Sequence, residues 1–77
     1  MFAAYVLIQL NAPDPRKVIK GIRGVAGVKQ AHIVAGPTDC VAFIEATDPE
    51  ALGNIIVAIR SVKGVASTDT RMAMTGI

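Results

Sequence analysis

The sequence predicts a small α+β fold, with a four-stranded antiparallel sheet, two helices on one of its faces, and the element order β-α-β-β-α-β. Three observations carry this. Short apolar runs rich in β-branched residues alternate with segments whose apolar residues recur at helical spacing. Each helical segment opens on an Asp-Pro pair, Asp14-Pro15 and Asp48-Pro49, where the aspartate suits an N-cap and the proline the first helical position. A motif also repeats: Ile19-x-x-Ile22-Arg23-x-Val25-x-Gly27-Val28 returns as Ile56-x-x-Ile59-Arg60-x-Val62-x-Gly64-Val65, 37 residues on (19 to 56).

Phe2–Leu10 is almost continuously apolar and ends at Asn11, Pro13, Asp14 and Pro15, which reads as a strand buried on both faces. Its even positions are Phe2, Ala4, Val6, Ile8 and Leu10; its odd positions, Ala3, Tyr5, Leu7 and Gln9, are still mostly apolar. Val18, Ile19 and Ile22 form the inward stripe of a short helix that Gly24 stops. Val28–Ala35 and Cys40–Ala46 read as strands of a hairpin joined by Gly36-Pro37-Thr38-Asp39. Leu52, Ile55, Ile56 and Ile59 make the apolar face of a second helix running to Val62. Its cap lies 8 residues before the repeated motif (48 to 56) against 5 in the first copy (14 to 19), so it should be longer. Val65–Met74 is the last strand. Two interleaved β-α-β units form the split, ferredoxin-like arrangement.

With 77 residues, the chain is expected to form one domain, 1–77, whose core supplies only about 3–5 kcal/mol and needs reinforcement. One cysteine and one histidine exclude an internal disulfide and a structural zinc site, so no metal or cofactor is expected. Self-association remains, and it suits a chain that is 52% hydrophobic with a mean hydropathy of +0.49. A second subunit is the economical cover for the odd face of the first strand. No apolar run reaches the roughly 18 residues of a membrane span, and no leader pattern is seen, so a cytoplasmic protein is expected. The net charge of +2 is spread thin. Arg16, Lys20 and Arg23 share one helical face, read here as solvated, and no direct contact with nucleic acid is expected.

Fold alone does not give function. A Cys-x-x-Cys for metal transport is missing after the first strand, where Asn11-Ala12-Pro13-Asp14 stands, and Phe2, Tyr5 and Phe43 are too few aromatics for an RNA platform. Three other features carry a resemblance. They are the opening strand Ala4–Ile8, the junctions Val25-Ala26-Gly27-Val28 and Val62-Lys63-Gly64-Val65, and the pair formed by the turn Ala35–Asp39 and Thr68-Asp69-Thr70. Their order and spacing resemble the effector-binding domain of the Lrp/AsnC (feast/famine) transcriptional regulators over essentially the whole chain.

The resemblance implies a site for an amino acid or a related small molecule, formed by Gly36, Thr38, Asp39, Thr68 and Thr70 and located between dimers. A turn at Gly36 lets backbone groups approach a ligand, Asp39 suits its ammonium group, and hydroxyls two apart share one strand face. Read without the resemblance, the same residues are turn formers and strand formers. The resemblance also implies a homodimer with paired sheet faces, larger rings such as octamers or decamers, and full-length regulators as partners. Two departures matter. Ala35 replaces the family's threonine and Pro37 an often acidic residue, which puts the ligand's identity in question. The chain also opens on the first strand, where the regulators carry a helix-turn-helix domain.

His32 and Cys40, eight positions apart with Asp39 adjacent, are the obvious nucleophile and base candidates. Their blander reading is a surface or interface histidine and a small buried hydrophobe, and no enzymatic activity is expected. A small dimeric α+β barrel enzyme of the monooxygenase or isomerase kind is the catalytic alternative. A structural subunit that co-assembles with full-length regulators is the third.

Overall fold

The computed structural model describes residues 1–74. The elements are β1 (Phe2–Leu10), α1 (Pro15–Arg23), β2 (Val28–Ile33), β3 (Cys40–Ala46), α2 (Pro49–Arg60) and β4 (Val65–Met72), in the expected order. The strands form one antiparallel sheet ordered β2-β3-β1-β4, which leaves β2 and β4 as its edges.

Both helix starts are built as the Asp-Pro pairs require. The Asp14 carboxylate accepts from the backbone N–H of Arg16 at 3.0 Å, and that of Asp48 from Ala51 at 2.8 Å, so each satisfies a donor that lacks an intrahelical partner. α2 has 12 residues against 9 in α1, as the cap spacing predicts. Three boundaries fall short of the sequence reading. β2 ends at Ile33, because its partner β3 begins at Cys40, and one further bond from Val34 N–H to the Asp39 carbonyl closes the loop. β4 ends at Met72, paired with Ala4 near the start of β1. α2 ends at Arg60, where the Ser61 N–H and hydroxyl turn back onto the Val57 carbonyl.

The repeat is a repeat of structure as well as of sequence. Gly27 and Gly64 hold φ of 96° and 100°, a left-handed conformation that side chains disfavour. Each passes its carbonyl to a neighbouring strand or loop, Gly27 to Glu45 N–H and Gly64 to Asn11 N–H. Each following strand then carries one extra residue against its partner, Lys29 in β2 and Ala66 in β4, again 37 apart (29 to 66).

The core lies between the sheet and the helices. Val6, Ile8, Ala42, Ile44 and Cys40 face Ile22, Leu52 and Ile59, all buried. The opposite sheet face has no helix over it. Tyr5 and Leu7 of β1 pair with Phe43 and Val41 of β3 along its centre, and the Tyr5 and Phe43 rings meet at 5.0 Å. Tyr5 remains 49% exposed. The two-sided apolar character of β1 is therefore real, with one side satisfied within the chain and the other open. Among the described residues no helix is long and apolar enough to cross a membrane.

Candidate functional site

The loop after β2 folds back over the C-terminal end of β1. Gln9 donates its side-chain amide to the Pro37 carbonyl at 2.6 Å, and Asp39 N–H donates to the Ile8 carbonyl at 3.2 Å. The Asp39 carboxylate accepts from the backbone N–H of Leu10 at 2.9 Å through Oδ2. Leu10 sits at the register shift of β1, where the β3 ladder has run out. A buried or half-buried N–H without an acceptor is costly, and Asp39 supplies the acceptor. Asp39 thus has a structural partner that its sequence context does not reveal. Its Oδ1 makes no hydrogen bond among the described residues and stays available.

Gly36 is exposed at φ 127°, and a Cβ built there meets nothing within 4 Å. Thr38 and Asp39 are half-buried beside it. The turn therefore offers backbone and one carboxylate oxygen to an open space.

Thr68 and Thr70 are half-buried and share one face of β4, as their spacing requires. They pair with Ile8 and Val6, so they lie on the helix-covered side. Cys40, next to Asp39, pairs with Ile8 from the other side. The turn and Thr68 consequently sit at the same end of the sheet with β1 between them, about 10 Å apart by two strand spacings. Within one chain they do not touch.

Thr68 lines a surface groove of about 330 Å³ together with Arg60, Val65, Ala66 and Ser67. Arg60 is absent from the residues expected from sequence. The only signal for it was its place in the repeated motif, as the counterpart of Arg23. A larger depression of about 570 Å³, between Ala12–Asp14, α1 and Val62–Gly64, contains none of the expected residues.

His32 and Cys40 do not form a catalytic pair. Cys40 is fully buried on the helix side of the sheet, while His32 pairs with Val41 on the open face and is exposed. Burial pushes the Cys40 thiol above its ordinary pKa of 9.0, against smaller opposing effects from the Arg23 charge and a backbone hydrogen bond at His32. A neutral, enclosed thiol is a poor nucleophile. Among the described residues no three His, Cys, Asp or Glu side chains gather as a metal site would require.

Comparison with known proteins places these features. The family model described as the Lrp/AsnC ligand binding domain matches residues 3–77. An HTH-type transcriptional regulator of Pyrococcus furiosus is 34% identical over 79 residues, covering 96% of this chain and 52% of that protein. The chain thus spans about half the length of the curated regulator it matches. A crystal structure from Thermus thermophilus superposes with a TM-score of 0.91 at 29% identity, covering 100% of this chain and 98% of that one. A transcriptional regulator of Neisseria meningitidis, solved as a complex with L-Met, shares the fold with a TM-score of 0.86 at 16% identity, over 99% of this chain and 51% of its own. The 77 residues belong to the Lrp/AsnC ligand-binding domain family.

Proposed function

We propose that this chain is an effector-sensing module that binds an amino acid or a related small molecule and works as a homodimer or larger ring, with no chemistry of its own. The observation that carries the reading is the separation of Asp39 from Thr68 and Thr70 by β1. The ammonium and carboxylate of an amino acid share one carbon, and β1 lies between Asp39 and Thr68 of the same chain, so one head group is better served by Asp39 of one copy and the threonines of another. A site of Gly36, Thr38, Asp39, Thr68 and Thr70 completed by a neighbouring copy couples binding to assembly. The open face of Tyr5, Leu7, Val41 and Phe43 suits the first step of that assembly, since covering it removes apolar surface from water. The L-Met complex of the N. meningitidis regulator supports an amino acid as the ligand class.

Two measurements test this. In a thermal-shift panel of the twenty amino acids, a ligand at 100 times its Kd should stabilise the native state by about 2.7 kcal/mol, and Asp39→Ala should remove the shift. No shift with any of them sinks the amino-acid reading. Light scattering at micromolar concentration should give a dimer or larger species, and a stable monomer sinks the assembly reading. The bond from Leu10 N–H to Asp39 favours a second reading, in which the turn is purely structural and the chain co-assembles with full-length regulators. That reading predicts oligomers, mixed ones included, with no ligand response.

A further inference from the structure

The structural repeat places two equivalent grooves on the two edges of the sheet. On the β2 edge the lining includes Arg23, Val28, Lys29, Gln30 and Ala31. On the β4 edge it is Arg60, Val65, Ala66, Ser67 and Thr68, each 37 positions further on (23 to 60, 31 to 68). The two grooves are built on the same backbone plan, and their side chains have diverged.

In the first, Arg23 is occupied: its Nε donates to the Ala31 carbonyl at 2.9 Å, across the exposed edge of β2. In the second, Arg60 makes no hydrogen bond or ion pair among the described residues, and its guanidinium has no bond to Thr68. The long Lys29 and Gln30 are replaced by the short Ala66 and Ser67, and the groove is the smaller of the two, about 330 Å³ against about 500 Å³. The methyl of Ala31 is replaced by the hydroxyl-bearing side chain of Thr68. The β4 edge therefore offers an uncommitted planar cation with the hydroxyl of Thr68 beside it, while Ser67, the preceding residue, faces the other side of the sheet. A guanidinium presents a fork of donors that matches the two oxygens of a carboxylate, and hydroxyl donors complement it.

We propose that the β4-edge groove is a carboxylate subsite, in which Arg60 binds the carboxylate of a small effector with Thr68 as a hydrogen-bonding partner. This rests on the effector-binding reading above and assigns the end of the ligand that Asp39 cannot hold. Asp39 of a neighbouring copy would face the ammonium end.

The test uses the full chain and isothermal titration with three probes: L-methionine, L-methionine amide and inorganic phosphate. The wild type should bind the acid at least about tenfold more tightly than the amide, because only the acid gains the charge-assisted pair. Arg60→Gln should bring acid binding down to the level at which that variant binds the amide, so that the preference for the acid is lost. Arg23→Gln, on the equivalent but occupied groove, should keep the preference. Retention of the acid preference in Arg60→Gln overturns the assignment, and so does an Arg60-dependent phosphate affinity equal to that for L-methionine, which would mark a general anion site. A fourth probe, 4-methyl-2-oxopentanoate, separates this inference from the amino-acid reading. If it binds through Arg60 while no amino acid binds, the subsite stands and the amino-acid reading falls. If no carboxylate binds, the subsite falls with it.

Discussion

Replacing Gly64 or Gly27 with alanine tests the structural repeat at its tightest points. A Cβ at Gly64 would lie 2.5 Å from Val18 Cγ2 and 3.1 Å from Ala12 Cβ, and one at Gly27 would lie 2.3 Å from Ile55 Cδ1 and 2.8 Å from its Cγ1. Two costs combine. The left-handed backbone disfavours any L side chain by about 1–2 kcal/mol, and overpacking adds about 1–3 kcal/mol. The total of about 2–5 kcal/mol compares with a core of about 3–5 kcal/mol for a chain of this size. Either variant should therefore melt at least roughly 8 °C lower at the small end of that range and be largely unfolded at the other. The two variants should suffer similarly, because Val18 and Ile55 are both β-branched on helices with one strongly preferred χ1, and only the Ile55 Cδ1 atom can turn away while its Cγ1 contact at 2.8 Å remains. Ile55→Val, which removes Cδ1, should recover part of the loss in Gly27→Ala and none in Gly64→Ala. Gly53 is the internal control. It lies inside α2, a Cβ there meets nothing within 4 Å, and Gly53→Ala should stabilise by about 0.5–1 kcal/mol. Urea denaturation followed by circular dichroism gives all these values. A Gly64→Ala protein within about 0.5 kcal/mol of the wild type would refute the reasoning.

Other outcomes follow from the same geometry. Asp39→Ala leaves the half-buried Leu10 N–H without its acceptor and should cost about 1–3 kcal/mol in urea denaturation even without ligand; no change would mean that this bond is unimportant in solution. Leu7→Arg puts a charge at the centre of the open face and should turn a dimer into a monomer by light scattering with the secondary structure intact, so an unchanged dimer would place the interface elsewhere. The raised thiol pKa of Cys40 has a definite sign. Well below pH 9 the thiol is neutral in both folded and unfolded chains and contributes no pH dependence. Above that the unfolded chain ionises first, so stability should fall as pH rises; in Cys40→Ala this alkaline loss should shrink, and an unchanged alkaline profile would argue against burial. Asp48→Ala should cost about 1 kcal/mol through the lost cap on Ala51, and a cost below about 0.3 kcal/mol would count against that bond.

Most of the fold was legible because its signals are local and mutually consistent. Asp14-Pro15 and Asp48-Pro49 mark both helix starts, the helical stripes Val18/Ile19/Ile22 and Leu52/Ile55/Ile59 are buried with Ile56 of the second stripe only half-buried, and β1 and β3 have the expected limits. The ends of β2 and β4 were not legible, since a strand ends where its neighbour does and a sequence read along one segment does not show the neighbour. Gly24 does stop α1, but not by the left-handed turn that a glycine there usually supplies. It is right-handed at φ −78°, and the left-handed turn falls three residues later at Gly27. The candidate site was only half legible. The turn, Thr68 and Thr70 are where the pattern puts them, but the bond between Asp39 and Leu10 links residues 29 apart, and the position of β1 between the turn and the threonines depends on strand order.

What the repeat preserves and what it changes therefore say different things. The two copies share the residues that make the fold: the isoleucines of each helix face, a left-handed glycine before each strand, and an extra residue early in each edge strand. None of these distinguishes one edge of the sheet from the other. A site specific to one edge has to come from positions where the copies differ, and those are few. Ala31 against Thr68, Gln30 against Ser67 and Lys29 against Ala66 lie together on one patch, next to an arginine that both copies retain but only one engages. If divergence there were only drift on a solvated surface, exchanging the patches should leave ligand response unchanged. Placing Lys29, Gln30 and Ala31 into positions 66–68 should instead let Arg60 bond to its own strand edge, as Arg23 does, and abolish the preference for a carboxylate while the chain folds as before.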